Sequence, residues 1–170
     1  MSSTFLIRLI RLFTTLIFQV LVFNNIHLFG YITPLVIGYM LVCCHRNTSR
    51  TGLLLWGFVT GILFDIFSNT AGMASAACTL VAMLQPIILN LFAPRDASEN
   101  FTPSFSSMGF FNYLTYVLML MTLLHGVFYL LDAFTLVEWP LTIMAIFGGT
   151  ILTTLIIIFI ELLVRSKKRK

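Results

Sequence analysis

The sequence predicts an all-α membrane protein with six transmembrane helices and both termini in the cytoplasm. Hydrophobic residues make up 59% of the chain and charged residues only 9%, whereas a soluble domain carries roughly 25% charged residues. The apolar residues form runs that approach the ~20 residues a helix needs to cross a bilayer. All 10 Lys and Arg residues fall on the cytoplasmic side of a six-span arrangement, as the positive-inside rule requires. The 170 residues are therefore predicted to form a single membrane domain.

The predicted spans follow the apolar runs in order. The first carries Arg8 and Arg11 near its start, like a signal peptide, but no small-residue cleavage site follows, so we expect it to be retained as a helix. The second is short and contains Pro34, which predicts a kinked or tilted helix. The fourth follows the turn Ser68-Asn69-Thr70, a candidate N-cap. The predicted limits are residues 5–23, 31–45, 52–67, 71–92, 110–131 and 139–164.

Polar connections separate these spans. A basic turn covers residues 45–50, a long polar loop covers residues 93–109, and a basic tail covers residues 165–170. The loop is long enough to dock a cytoplasmic partner, although a solvated connector would have the same composition. Its candidate docking residues are Arg95, Asp96 and Phe105.

A stripe of small and polar residues runs along the third span. Gly57, Gly61, Asp65 and Asn69 recur at four-residue steps and so lie near one helix face. Glycines at this spacing allow a second helix to come close, so we expect the third and fourth spans to pack as a tight hairpin. The predicted interface for helix packing and for a partner consists of Gly57, Gly61, Asp65, Asn69, Gly72 and Ala76.

Asp65 is the acidic residue inside this apolar run. A bare carboxylate in hydrocarbon costs roughly 2.5 to 3.5 kcal/mol, so Asp65 is expected to face protein or a wet cleft. It either fixes the register of the helix or forms a ligand or proton site. If the role is structural, Asp65→Asn should be tolerated, because the amide keeps the size and most of the hydrogen-bonding ability.

Sequence motifs for catalysis or metal binding are not found. The chain has no P-loop, G-x-S-x-G, H-E-x-x-H or C-x-x-C motif, so we predict no enzyme activity, no cofactor and no metal site. His125 and Asp132 share a helix face and form either a proton pair or separate structural groups. The basic residues lie at helix ends and in the tail, which favours membrane orientation over nucleic-acid binding.

Several motifs resemble those of the bacterial rod shape-determining protein MreD family, in particular its Bacteroidetes form. The central match is Gly61-x-x-x-Asp65 followed by Ser68-Asn69-Thr70-Ala71-Gly72-Met73 and an Ala-rich helix. Further matches are Phe18 to Asn24 and His27 to Gly30 in the first hairpin, Arg46 to Ser49 in the basic turn, and Pro94-Arg95-Asp96 with Pro103-Ser104-Phe105 in the loop. The resemblance covers nearly the whole chain.

This resemblance implies a non-enzymatic scaffold of the cell-wall elongation complex in the bacterial cytoplasmic (inner) membrane. The implied partners are an MreC-like protein, a class B penicillin-binding protein, a RodA-like glycosyltransferase and the actin-like MreB filament, together with the lipid bilayer. The implied fold is similar to the substrate-binding subunits of energy-coupling-factor vitamin transporters.

That fold suggests an alternative, a small-molecule-binding transporter subunit with Asp65 and Asn69 in its ligand pocket. A third hypothesis is a membrane enzyme that acts on lipid. The sequence offers few convergent polar groups for either, and so favours the scaffold.

Overall fold

The chain folds as a bundle of helices. The computed structural model describes residues 2–25, 32–70, 72–94, 101–133 and 139–168, and this part of the chain contains no β-strand. The helices are α1 (Ser2–Leu21), α2 (Tyr39–Val42), α3 (Arg50–Ser68), α4 (Met73–Phe92), α5 (Phe105–Met108), α6 (Phe110–Asp132) and α7 (Trp139–Lys168).

Four of these helices are long and apolar enough to cross a membrane. They are Arg50–Ser68, Met73–Phe92, Phe110–Asp132 and Trp139–Val164, and α1 contributes a shorter apolar stretch, Leu9–Leu21. The predicted third to sixth spans agree with them to within a few residues. Helix α7 runs on to Lys168, so the first part of the predicted basic tail is helical. Large apolar side chains on the outer faces, such as those of Ile66, Leu91 and Phe159, are exposed as expected for contact with lipid.

The predicted second span is wrong as a continuous helix. Within the described part of this range, residues 32–45, the helical structure is limited to a 3-10 turn at Val36–Gly38 and to α2. Proline lacks an N–H group and disfavours helical geometry in the residue before it, so Pro34 disfavours a helix that runs through Thr33. Every residue from Pro34 to Cys44 is buried. This segment therefore crosses the interior of the bundle, enclosed by the longer helices.

Side chains from other helices satisfy the irregular backbone of this buried segment. The Nε2 group of Gln19, on α1, donates to the carbonyl oxygen of Pro34 (2.8 Å), and its Oε1 atom accepts from the backbone N–H of Ile37 (3.2 Å). Gln19 is itself completely buried. Because hydrocarbon offers no hydrogen bonds, non-helical backbone at membrane depth is stable only where protein groups supply them.

Helices α6 and α7 supply further hydrogen bonds to this segment, through a chain that runs from Leu35 to Thr153 and His125. The backbone N–H of Leu35 donates to Thr153 Oγ1 (3.1 Å), which lies 3.2 Å from His125 Nε2. His125 Nδ1 lies 2.9 Å from the carbonyl oxygen of Met121. A carbonyl can only accept, so Nδ1 carries the proton, Nε2 accepts, and the Thr153 hydroxyl donates to it. His125 is thus a structural hydrogen-bonding group.

We expect Thr153→Val to destabilise the bundle by about 1 to 3 kcal/mol, because it leaves the buried N–H of Leu35 and the buried Nε2 of His125 without partners. The matched control is Thr122→Val, since the Thr122 hydroxyl donates to the carbonyl of Leu118 in its own helix (2.8 Å). Thermal unfolding in detergent should separate the two variants. Equal melting temperatures would contradict this assignment of the Thr153 hydroxyl.

The second half of the predicted loop 93–109 is folded. Phe101, Pro103, Phe105 and Met108 are buried, and a reciprocal capping box between Ser104 and Ser107 starts the short helix α5. The N–H of Arg46 donates to the carbonyl of Phe101 (3.0 Å). This part of the loop therefore closes one end of the bundle beside the basic turn, which we call the basic end and define by Arg46 and Arg50.

The opposite end is held by a contact between α3 and the chain that follows α1. Asn24 Nδ2 donates to Ser68 Oγ (2.9 Å). The six-span topology with both termini in the cytoplasm stays a prediction and places the basic end in the cytoplasm.

Labelling of single introduced cysteines tests this topology. An impermeant maleimide should label Asn25→Cys and Glu138→Cys from the periplasm, and Ser49→Cys, Ser98→Cys and Lys168→Cys from the cytoplasm. The three native cysteines are buried and should contribute little background. Periplasmic labelling of Ser98→Cys would contradict the topology.

Candidate functional site: the junction of the third and fourth helices

The junction of α3 and α4 brings the small-residue stripe against a helix of the same chain. A Cβ atom added to Gly57 would lie 2.8 Å from the carbonyl oxygen of Cys78, and one added to Gly61 would lie 2.6 Å from the backbone nitrogen of Ser75. Both distances are shorter than side-chain carbons adopt, so only glycine permits this approach. The expected tight hairpin is present, and its two glycines are used inside the bundle.

Asp65 caps the N-terminus of α4. Its Oδ1 atom accepts from the N–H of Ala74 (3.0 Å) and from the hydroxyl of Thr70 (2.6 Å), and its Oδ2 atom accepts from the N–H of Ser75 (2.9 Å). The first N–H groups of a helix have no partner within the helix. The carboxylate supplies two of these partners and meets the positive end of the helix dipole.

The turn between the helices explains why the cap comes from α3. Helix α3 ends at Ser68, and the residue after it, Asn69, has a left-handed backbone (φ 54°). Gly72, also left-handed (φ 82°), precedes Met73. Gly72 occupies the N-cap position and has no side chain to cap the helix. Helix α4 therefore begins two residues after the predicted start at about residue 71. The predicted capping by Ser68-Asn69-Thr70 is wrong, since Thr70 instead donates to Asp65.

This geometry supports the structural interpretation of Asp65. Both carboxylate oxygens are occupied by donors of the same chain, and the side chain is buried. The bonds fix the position of α4 along α3 because they join one residue to two consecutive backbone N–H groups. The glycines permit the contact, and Asp65 sets its register.

The other members of the predicted interface lie on the surface. Asn69, Gly72 and Ala76 are exposed, at the same end of the bundle as Ser68. They remain candidates for contact with a partner, whereas Gly57, Gly61 and Asp65 face α4.

The structure describes one of the three predicted docking residues, Phe105. Arg95 and Asp96 lie outside the described residues. Phe105 is buried, and its ring stacks on Phe110 (centroids 5.6 Å apart) and contacts Tyr113 (4.7 Å). The prediction that Phe105 docks a partner is wrong, because an aromatic ring in a polar loop gains more by covering the core.

His125 and Asp132 lie in different environments. His125 is completely buried and bonded as described above, whereas Asp132 is exposed at the end of α6. The geometry therefore favours separate groups over a proton pair.

Sequence reasoning missed the polar side chains that hold the buried segment. Besides Gln19 and Thr153, Gln85 Nε2 donates to the hydroxyl of Tyr116 (2.9 Å), which donates to the carbonyl of Val42 (3.2 Å). A Gln inside an apolar span was the available signal, since an amide in hydrocarbon needs partners. The identity of the partners could not be read from the sequence, because they lie far apart along the chain.

In the described part of the chain, no three His, Cys, Asp or Glu side chains form a cluster that could hold a metal ion.

Together, the fold and the junction define a helical membrane bundle whose central polar groups hold its own helices in register. Comparisons with protein-family models, with curated proteins and with solved structures found no match for this chain. The similarity to transporter substrate-binding subunits stays a prediction.

Proposed function

We propose that this chain is a non-enzymatic scaffold of the bacterial cell-wall elongation complex, embedded in the cytoplasmic membrane as a multi-pass protein. The observation that carries the proposal is the junction of α3 and α4. The segment with the most specific resemblance to the MreD family, from Gly61 to Met73, builds a rigid capped hairpin in which Asp65 is bonded on both oxygens. Such a hairpin positions surfaces and leaves no free carboxylate for chemistry.

The proposed partners are those that the family resemblance implies. An MreC-like protein and, through it, a class B penicillin-binding protein would meet the periplasmic surface, and a RodA-like glycosyltransferase would lie beside the bundle in the bilayer. The actin-like MreB filament would lie on the cytoplasmic side. The exposed residues Asn69, Gly72 and Ala76 form the candidate contact for a periplasmic partner.

The transporter alternative has less support. It requires Asp65 and Asn69 to line a ligand pocket, but the oxygens of Asp65 are already used by Thr70, Ala74 and Ser75. A ligand would have to displace bonds that hold two helices together.

Affinity purification in mild detergent tests the scaffold. The tagged chain, expressed in its own host, should retain MreC-like and penicillin-binding partners in mass spectra, and its depletion should round the cells while vitamin uptake continues. A surface variant, Asn69→Gly with Ala76→Leu, changes the exposed surface and leaves the capped hairpin intact. It should recover less of the partners than the unmodified chain does, at unchanged membrane levels. A stoichiometric vitamin-like ligand with no wall-synthesis partner would overturn the proposal.

A further inference from the structure

A cavity of about 330 Å³ with a mixed polar and apolar lining lies at the basic end of the bundle. It is enclosed by α1, α2, α3, α7 and the loop that precedes α5. Among the described residues, its lining includes the cation Arg11 and the carboxylate Glu161, together with the polar side chains of Tyr39, His45, Thr60, Thr102 and Ser104. The Tyr39 hydroxyl lies 3.4 Å from Glu161 Oε2. The volume is at the lower end of the roughly 300 to 1,000 Å³ typical of small-molecule sites.

An apolar groove of about 440 Å³ adjoins this cavity between α1 and α3. Its walls include Leu12, Phe13, Leu55 and Val59, and the indole of Trp56 lines both the groove and the cavity. Phe13 and Leu55 are at least half exposed. The groove therefore opens along the lipid-facing surface and meets the cavity at Trp56.

We propose that the cavity and groove together bind one membrane phospholipid with a phosphoethanolamine headgroup. The phosphate pairs with the Arg11 guanidinium, and the ammonium donates to the Glu161 carboxylate and the Tyr39 hydroxyl beside the face of Trp56. An acyl chain occupies the groove. A soluble phosphate compound would leave the apolar groove unfilled, so the position of the two spaces on either side of Trp56 favours a lipid.

The charges of the lining select the headgroup. Glu161 disfavours a purely anionic headgroup such as that of phosphatidylglycerol, because the Glu161 carboxylate would be a second negative charge beside the lipid phosphate. A phosphocholine headgroup has no N–H groups to donate to Glu161 and Tyr39, whereas a primary ammonium has three. This inference does not depend on the scaffold role.

Quenching of Trp56 fluorescence by brominated lipids tests the proposal. The sequence contains 2 Trp residues, Trp56 and Trp139, so Trp139→Phe leaves a single reporter at the site. The protein is placed in vesicles that contain brominated-acyl phosphatidylethanolamine, phosphatidylcholine or phosphatidylglycerol at increasing mole fraction. We expect half-quenching by phosphatidylethanolamine at a mole fraction about fivefold lower than by the other two.

Three further variants of this single-Trp protein separate the site from bulk lipid. Arg11→Gln and Glu161→Gln should each remove the preference, and Arg50→Gln should keep it, because Arg50 lies at the same end but outside the cavity. A Trp56→Phe protein, which reports from exposed Trp139, should show equal quenching by all three lipids.

Equal quenching of Trp56 by the three lipids would mean bulk lipid only and would overturn the proposal. Stronger quenching by phosphatidylglycerol, or equal quenching by phosphatidylcholine and phosphatidylethanolamine, would overturn the assigned headgroup. These readouts use purified protein without partners, so they are independent of the test of the scaffold.

Discussion

Replacing Gly61 with alanine is expected to lower the stability of the bundle by about 1 to 3 kcal/mol, and replacing it with leucine to prevent its assembly. The added Cβ atom would lie 2.6 Å from the carbonyl oxygen of Ala74 and from the nitrogen of Ser75. Both are backbone atoms of α4 and cannot rotate away. Helix α4 would have to move, and the same movement would break the bonds from Ala74 and Ser75 to Asp65.

The matched control is Gly126→Ala in α6, where an added Cβ atom meets nothing within 4 Å. Its effect should be neutral or stabilising by up to about 1 kcal/mol, because alanine favours a helix over glycine. Melting temperatures in detergent and elution from a size-exclusion column measure both variants. If Gly61→Ala melts with or above Gly126→Ala, the close contact between α3 and α4 is not required.

Replacing Asp65 with asparagine is expected to destabilise the protein by about 2 to 3 kcal/mol, although it changes only one atom of the side chain. All three partners of the carboxylate are donors, two N–H groups and the Thr70 hydroxyl. An amide offers one acceptor oxygen, and its NH₂ group would face a donor, so one buried N–H loses its bond and the other bonds lose their charge.

The same change at an exposed carboxylate, Asp132→Asn, is the control and should alter the melting temperature little. Wild-type stability of Asp65→Asn would show that the carboxylate does not hold α4. The structure thus reverses the expectation that a structural Asp65 would tolerate the amide, because that expectation counted hydrogen bonds without knowing that every partner donates.

The long helices were predictable because hydrophobic runs and turn residues specify them locally. The tight hairpin of α3 and α4 was predictable for the same reason. Gly57 and Gly61 lie four residues apart in α3, and α4 follows α3 after a short turn. The capping role of Asp65 was only partly predictable. It depends on the left-handed residues Asn69 and Gly72, which delay the start of α4 and aim its first N–H groups at α3.

The errors share a different physical cause. Residues 31–45 have the composition of a transmembrane helix, but Pro34 and the distant partners of the backbone make an irregular segment stable. Phe105 has polar neighbours in sequence and apolar neighbours in space. In both cases the outcome is decided by contacts between residues far apart along the chain, which local pattern does not contain.

The irregular segment also constrains the order in which the protein can be completed during synthesis. The N–H groups of Thr33 and Leu35 donate to Tyr129 and Thr153, which are made 96 and 118 residues later. Until α6 and α7 enter the membrane, these groups have no partner from those helices, and lipid supplies none. Residues Thr33 and Leu35 are therefore expected to complete these hydrogen bonds only after α7 has been synthesised.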